Sequence, residues 1–377
     1  MKNLKKVFLL ILLMSIISVS CSKNAADLPS AGNNTPSNVI TIPENARKIE
    51  LDGTTFYQYN NDMLINPDCP LQQKFRKQFQ QNSNTKGVML TNYAGVFAWS
   101  KNVIPYYIIK SDFSEKEIQI IKQAMLEWEK NANVYFHEVE PNPIINLFTY
   151  KISKDTTIDG ARGRSTVGWQ IEPRMLINPS EFNNTNTSTQ GYADEFYGVV
   201  LHELGHCLGL SHEHQRFDRD NFIKVDDDVK DNDNYKKHPR KEEFSIFKID
   251  ENVCVMGYPV CRIENWSLKC RWKCTKRVDI EYELKYEYLY SKVYTPYDYE
   301  SIMHYSCGKL KPINLTNGKT AEQMCNDVIG QRNILSHGDK TTIRAIYGAP
   351  NLEIVKISEM IKKGTIEERV VKGHVVV

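Results

Sequence analysis

Residues 202–214 read HELGHCLGLSHEH, and no other stretch constrains the chain as tightly. On a helix His202 and His206 are four residues apart, so both imidazoles leave one face about a turn from each other. That separation suits two ligands of a single tetrahedral zinc ion, at metal to nitrogen distances of roughly 2.0–2.1 Å. Glu203 follows the first of them and can take a proton from water at the metal without binding the metal itself. A third ligand requires the chain to leave the helix abruptly. Gly209 lacks a Cβ and permits a left-handed turn, which brings His212 back towards the pair. Three neutral imidazoles leave one coordination position open, as in catalytic zinc sites, whereas structural sites are closed by four protein ligands. A bare HExxH also occurs as two surface histidines with a charged neighbour. The fixed glycine and third histidine select the metal reading, and the expected cofactor is one Zn2+ per chain.

The rest of the chain bounds where such a site could operate. Hydrophobic residues make up 41% and charged residues 25% of 377 residues, enough for a sizeable core. A net charge of +2 gives no global argument for nucleic acid as a partner. Lys2, Lys5 and Lys6 precede an apolar run too short to span a bilayer, which predicts a signal peptide over 1–20. Ser-Val-Ser-Cys then ends in Cys21 and is similar to a bacterial lipobox, so a lipid anchor at Cys21 is expected, with simple secretion as the alternative. The expected location is therefore the cell envelope, or otherwise the medium. Residues 21–46 are rich in Ser, Asn, Ala and Pro and read as a flexible tether.

Setting Cys21 aside, eight cysteines remain, an even number that permits complete pairing in an exported protein: Cys69, Cys207, Cys254, Cys261, Cys270, Cys274, Cys307 and Cys325. Those at 254, 261, 270 and 274 could staple an inserted loop or hold a second, structural zinc, and stapling is the reading favoured by an oxidising compartment. Cys207 reads as a small buried residue.

Periodicity predicts strands at 104–109, 134–139 and 146–152, and a helix over 115–130 started by a capping box of Ser114 and Glu117. A second helix is expected over 194–209, a long alternating strand at 280–288, and a short helix after Ser336 that closes at Gly348. No role is assigned to 351–377.

With these residues in place, HELGHCLGLSHEHQRFDRDNF resembles the zinc-binding signature of the astacin peptidases, which are metzincins, and YDYESIMHYS resembles that family's Met-turn segment. WSKNVIPYYI, GRSTVGWQ and LSHGDKTTIRAIYG are similar to its first strand, substrate-edge region and closing helix. The resemblance implies an α+β fold: a two-lobe catalytic domain over 87–350 with a twisted sheet, an active-site helix and a Met-turn. It implies Met303 as the apolar floor under the zinc histidines, and Tyr305 as a group that ligates resting zinc and then stabilises the tetrahedral intermediate. Glu213 matches the residue that meets the new amino terminus after activation. Two features depart from the family: its usual cysteines are not at recognisable positions, and 236–294 is a long cysteine-rich insertion.

The implied activity is zinc-dependent hydrolysis of peptide bonds in proteins or peptides by a monomer made as a latent zymogen, with Glu203 as general base. Within a pro-segment over 47–86, Tyr59-Asn-Asn-Asp62-Met63 is similar to the family's inhibitory Phe-x-Gly-Asp motif, with asparagine in place of glycine. Cys69 offers a thiolate that would cap the metal equally well, so Asp62 and Cys69 both stand as the latency ligand, with Lys86-Gly87 as the activation site. Two other functions compete: a cell-surface binding protein that keeps a metal, and a zinc hydrolase of non-peptide amides. A binding module has no need of the base Glu203.

Overall fold

The computed structural model describes residues 47–59, 62–66, 98–99, 102–141, 146–156, 160–216, 218–226, 253–264, 267–278, 295–313, 315, 318–365, 369–371 and 374–376. In chain order the strands and helices are β1 (Arg47–Leu51), β2 (Thr54–Tyr59), β3 (Met63–Ile65), β4 (Val103–Ile108), α1 (Glu115–Asn131), β5 (Tyr135–Glu138), β6 (Tyr150–Lys154), β7 (Gly163–Thr166), β8 (Arg174–Ile177), α2 (Gln190–Cys207), β9 (Ile223–Val225), β10 (Val253–Glu264), β11 (Ser267–Val278), β12 (Leu310–Pro312), α3 (Ala321–Asp327), α4 (His337–Tyr347), α5 (Leu352–Lys362), β13 (Arg369–Val371) and β14 (His374–Val376). The fold is α+β. None of the helices described is long and apolar enough to cross a membrane.

Helix α1 begins where its capping box places it: Ser114 Oγ accepts from Glu117 N, and Glu117 Oε2 accepts from Ser114 N at 2.7 Å. Its apolar stripe of Ile118, Ile121, Met125 and Trp128 is buried, each large side chain contributing about 1.5–3 kcal/mol by leaving water. Helix α2 starts earlier than apolar spacing indicates, at Gln190, because Thr189 caps Tyr192 N and the first turn is polar. Both helices pack on the sheet through a core that includes Ile104, Tyr106, Tyr150, Ile152, Met175, Phe196 and Leu204. The third strand begins at Tyr150 and not at 146, since 146–148 form a 3-10 turn.

The sheet has eight strands in the order β1-β2-β3-β7-β8-β6-β4-β5. Strands β8, β6, β4 and β5 run parallel to one another and β7 is antiparallel to β8. Periodicity gives no sign of β1, β2 and β3. They extend the sheet from its β7 edge, with β3 parallel to β7 through Met63↔Ser165 and Leu64↔Thr166. Side chains reinforce the junction. Gln170 donates to Leu64 O and accepts from Asn66 N, and Asp52 Oδ2 accepts from Lys151 Nζ at 2.7 Å and from Arg174 at 2.9 Å. Arg174 also lies over the Phe56 ring.

The cysteine-rich insertion contains the antiparallel hairpin β10–β11, a two-stranded sheet of its own in which Cys261 and Cys270 are register partners. The strand expected at 280–288 lies outside the described residues, as do Cys21 and Cys69. Cys307 and Cys325 form a disulfide. Cys207 is free and buried, so the eight cysteines do not all pair; the backbone of α2 carries it into the core.

The tail, to which the sequence assigns no role, supplies α5, which packs on α1 and β5. Lys362 Nζ meets Glu129 Oε1 at 2.9 Å, Ser358 Oγ and Phe136 O, while Glu129 also accepts from Phe136 N at 2.7 Å. Glu129 is 1% and Lys362 6% exposed, so losing one partner strands a charge in the core. Lys362→Ala is therefore expected to cost about 3–5 kcal/mol in chemical denaturation. Glu129→Gln combined with Lys362→Met should cost less than that single change, and equal or greater loss in the double variant would refute this account.

Candidate metal centre

Everything at the site is positioned by how α2 ends. Gly209 has φ +99°, and the turn it makes is a Schellman motif: Gly209 N donates to His206 O at 2.7 Å and Leu210 N to Gly205 O at 2.9 Å. The turn places Leu210 O 2.8 Å from Nδ1 of His206 and returns the chain so that His212 Nε2 lies 3.2 Å from His206 Nε2. Trp99 Nε1 and the Tyr347 hydroxyl donate to Cys207 O and Leu208 O, satisfying the last carbonyls of the helix.

Each histidine has its Nδ1 engaged. His202 Nδ1 faces Ile302 O at 2.8 Å, His206 Nδ1 faces Leu210 O, and His212 Nδ1 faces Gln215 Oε1 at 3.0 Å. Oxygen acceptors at all three Nδ1 positions assign the ring proton there and leave three Nε2 lone pairs converging. Burial pushes His202 down to about 4 and His206 well below its usual range, so both are neutral near pH 7.

Asp62 enters this ring from the turn before β3. Its Oδ2 lies 3.1 Å from His212 Nε2 and 3.5 Å from His202 Nε2, its Oδ1 lies 3.7 Å from His206 Nε2, and Oδ2 accepts from the Tyr305 hydroxyl at 2.7 Å. The four ligand atoms lie within 4.8 Å of one another, and all four residues are buried. Asp62 Oδ1 and His202 Nε2 have no hydrogen-bond partner among the described residues. Burial would raise the Asp62 carboxyl, yet the surrounding imidazoles, His212 foremost, hold it well below the usual carboxylate range. Four buried acceptors facing one another with their protons committed elsewhere suit a cation at their centre, and a nitrogen-rich set with one carboxylate is a zinc donor set.

Glu203 is 2% exposed. A Cβ on Gly163 of β7 would stand 2.6 Å from its Oε1, so the glycine leaves the space that the carboxylate fills. Glu203 Oε2 has no hydrogen-bond partner, and burial together with the nearby Asp62 carboxylate pushes its carboxyl well above the ordinary range. Gly205 of α2 gives room to Met303, whose Sδ would lie 2.5 Å from a Cβ there. The Met303 turn hangs from α4: Asp339 accepts from Ser301 Oγ at 2.6 Å and from Ile302 N at 2.8 Å. The Tyr305 ring packs, tilted, against His212 and His214, and burial raises its hydroxyl well above its usual value. Glu213 accepts from Arg216 and from Asp298 N, both at 2.8 Å, and burial raises it to about 7.

The structure thus brings His202, Glu203, His206, His212, Met303, Tyr305 and Asp62 together, while the Glu213 carboxylate is engaged by Arg216 and Asp298 N. Several supporting residues escape a reading of the sequence. Gln215 is legible in principle, three residues after His212. Asp339 reads from the sequence only as a helix cap, although it also holds the Met303 turn, and nothing in the sequence marks Arg332, which donates to His304 O at 2.8 Å.

Comparison with known proteins agrees with this site. Residues 179–258 and 271–348 match the peptidase family described as astacin. Bone morphogenetic protein 1 of Xenopus laevis is 26% identical over 256 residues, 67% of this chain and 27% of that protein. The dorsal-ventral patterning protein tolloid of Drosophila melanogaster is 33% identical over 129 residues, 34% of this chain and 10% of that protein. The chain therefore spans about a quarter or less of these relatives. Among solved structures, the high choriolytic enzyme 1 of Oryzias latipes, a hatching enzyme zinc-protease, is 21% identical over 67% of this chain and 94% of that chain, with a TM-score of 0.39. The chain thus carries an astacin-family domain over the matched residues between 179 and 348.

Proposed function

We propose that this protein is a zinc-dependent endopeptidase, made as a zymogen in which Asp62 occupies the metal position that water needs. The observation that carries this reading is the convergence of three Nε2 atoms, each imidazole fixed through Nδ1, beside Glu203, whose Oε2 has no hydrogen-bond partner among the described residues.

His202, His206 and His212 would hold the ion. When bound, zinc supplies the Lewis acidity that polarises a carbonyl and acidifies water. The chain's own groups do the rest. Glu203 takes a proton from the attacking water on its free Oε2 and delivers it to the nitrogen of the leaving amine. The Tyr305 hydroxyl, now donating to Asp62, becomes available to donate to the oxyanion once that carboxylate leaves. Met303 packs under the histidines and fixes their height, with no role in proton transfer.

Latency follows from the same contacts. Pairing of β3 with β7 carries Asp62 into the histidine ring, and the 3.1–3.7 Å approaches of its carboxylate support it as the inhibitory ligand. Cys69, the other ligand weighed, lies outside the described residues. Glu213, held by Arg216 and Asp298 N, would exchange partners for a new amino terminus after removal of 47–86. Export behind a leader over 1–20, with lipid attachment at Cys21, remains part of the proposal on sequence grounds, as does a monomeric state.

Two measurements test it. Pro-segment-free protein should bind one zinc per chain and cleave casein, and Glu203→Gln should lower kcat/KM by about 10²–10⁴-fold while zinc content by elemental analysis is unchanged. Zinc bound without Glu203-dependent cleavage would sink the endopeptidase reading. In the full-length chain, Asp62→Ala should give chelator-sensitive casein cleavage before any proteolytic processing, whereas Cys69→Ala should not. The reverse pattern would transfer the inhibitory role to the thiol.

A further inference from the structure

Register decides which side chains share the outer face of the eight-stranded sheet. Tyr107 pairs with Lys151, Lys151 with Arg174, and Ser153 and Arg164 each with Leu176. Register partners on neighbouring strands lie on one face, and successive residues alternate between faces. The alternating neighbours Tyr106, Tyr150, Ile152, Met175 and Ile177 belong to the core beneath α1 and α2, so this set points away from the helices. It holds three cations, Lys151, Arg164 and Arg174, and no acid. Arg164 and Arg174 are nevertheless buried, with Tyr107 and Leu176, and buried charge requires partners.

The β1–β2 hairpin supplies part of that cover. Strand order puts β1 and β2 beyond the β7 edge. Yet Asp52, at the β1–β2 turn, reaches Lys151 on β6 at 2.7 Å and Arg174 on β8 at 2.9 Å, so the hairpin leans back across the face. Phe56 and Leu64 pack on Leu176, and the Arg174 guanidinium stands 4.6 Å from the Phe56 ring centroid. Thr54 Oγ1 donates to Glu172, whose carboxylate also meets Arg174 at 3.3 Å. A carboxylate and an aromatic ring four residues apart in the chain thus engage the same arginine.

Filling the metal position asks only for Asp62 in the turn before β3, so these contacts are additional to latency. When 47–86 leaves, Leu176 loses Phe56 and Leu64, and Lys151 and Arg174 lose Asp52. An apolar spot flanked by cations then adjoins a freed strand edge. That edge is β7, within the stretch similar to the astacin substrate-edge region. A protein chain lying along β7 has its flanking residues within reach of the outer face, by the route that β2 takes from β3.

We propose that the outer sheet face around Arg174 is an exosite of the processed enzyme, docking a segment of the protein substrate that carries a carboxylate and an aromatic ring in the places of Asp52 and Phe56. It rests on the reading of 47–86 as a removable pro-segment, and adds to that reading a substrate class: proteins with an acidic, aromatic segment outside the scissile region. The probe is a synthetic peptide of residues 47–59, which contains Asp52 and Phe56 and ends before Asp62. The protein is folded as the full-length chain and then freed of its pro-segment by limited proteolysis. An exosite contact is the same in the ground state and the transition state, so the peptide should raise KM for casein at least about threefold with kcat unchanged. Cleavage of a short peptide substrate should be unaffected. In fluorescence anisotropy the labelled probe should bind processed protein at least about tenfold more tightly than the unprocessed chain, whose own hairpin fills the face. Asp52→Asn with Phe56→Ala in the probe, or Arg174→Gln in the protein, should weaken binding at least about tenfold. If Arg174→Gln does not fold, Lys151→Gln should weaken binding at least about threefold. Equal inhibition of casein and short-substrate cleavage, equal binding to processed and unprocessed protein, or binding indifferent to Asp52 and Phe56 overturns the proposal. Failure of the peptidase reading looks different: neither casein nor the short substrate is cleaved, and the anisotropy measurements decide the docking face alone.

Discussion

Two imidazole nitrogens 3.2 Å apart, both acceptors, cannot be neighbours in a dry interior unless a positive charge lies between them. The sharing of His206 Nε2, His212 Nε2 and His202 Nε2 with the Asp62 carboxylate is the contact on which the surrounding architecture depends. It explains why so much hydrogen bonding is directed at the far side of each ring, since Ile302 O, Leu210 O and Gln215 Oε1 all serve to keep protons off the converging nitrogens. Each of these acceptors has a different structural origin. One comes from the turn hung on Asp339, one from the Schellman turn at Gly209, and one from the 3-10 turn that follows His212. Secondary structure that is far apart in sequence is thereby committed to one set of lone pairs.

How much of this is readable follows from how local each signal is. The capping boxes at Ser114 and Ser336 are satisfied by residues three apart and the sequence places those helix starts to within a residue, while α2 ends at Cys207, two residues before the glycine taken as its end. The start of α2 is harder to place because its first turn is polar and is announced only by the Thr189 cap. Strands β1, β2 and β3 are hidden for a different reason. Their stability comes from pairing with β7 and from ties such as Asp52 to Arg174, which join residues more than a hundred positions apart, and no local periodicity encodes a partner strand. The metal ligands are legible because helix geometry fixes their spacing. Gln215 and the second duty of Asp339 are not, because supporting contacts impose no spacing of their own.

The pro-segment contact also bears on an ambiguity that sequence leaves open. Asp62 and Cys69 are equally acceptable as chemical ligands, and composition cannot rank them. What favours Asp62 is delivery: β3 adds to the β7 edge, and the Asp62 carbonyl accepts from Ser165 N at 2.7 Å, so the backbone arrives at a fixed height above the histidines. The position of Asp62 is thus carried by sheet register.

Two carboxyl groups buried in one site influence each other, and the sign of that influence gives the pro-segment a second effect. Asp62 is held anionic by the imidazoles around it, and its charge adds to burial in raising the Glu203 carboxyl. A protonated Glu203 cannot accept a proton from water. On the proposed latency, Asp62 therefore acts on the base as well as on the metal position, and its departure would relieve both together. Tyr305 changes role in the same event, because its hydroxyl donates to Asp62 as long as that carboxylate is present. One side chain in the turn before a short strand thus raises the carboxyl of the proposed base, engages the proposed oxyanion donor and, on the proposed latency, fills the metal position.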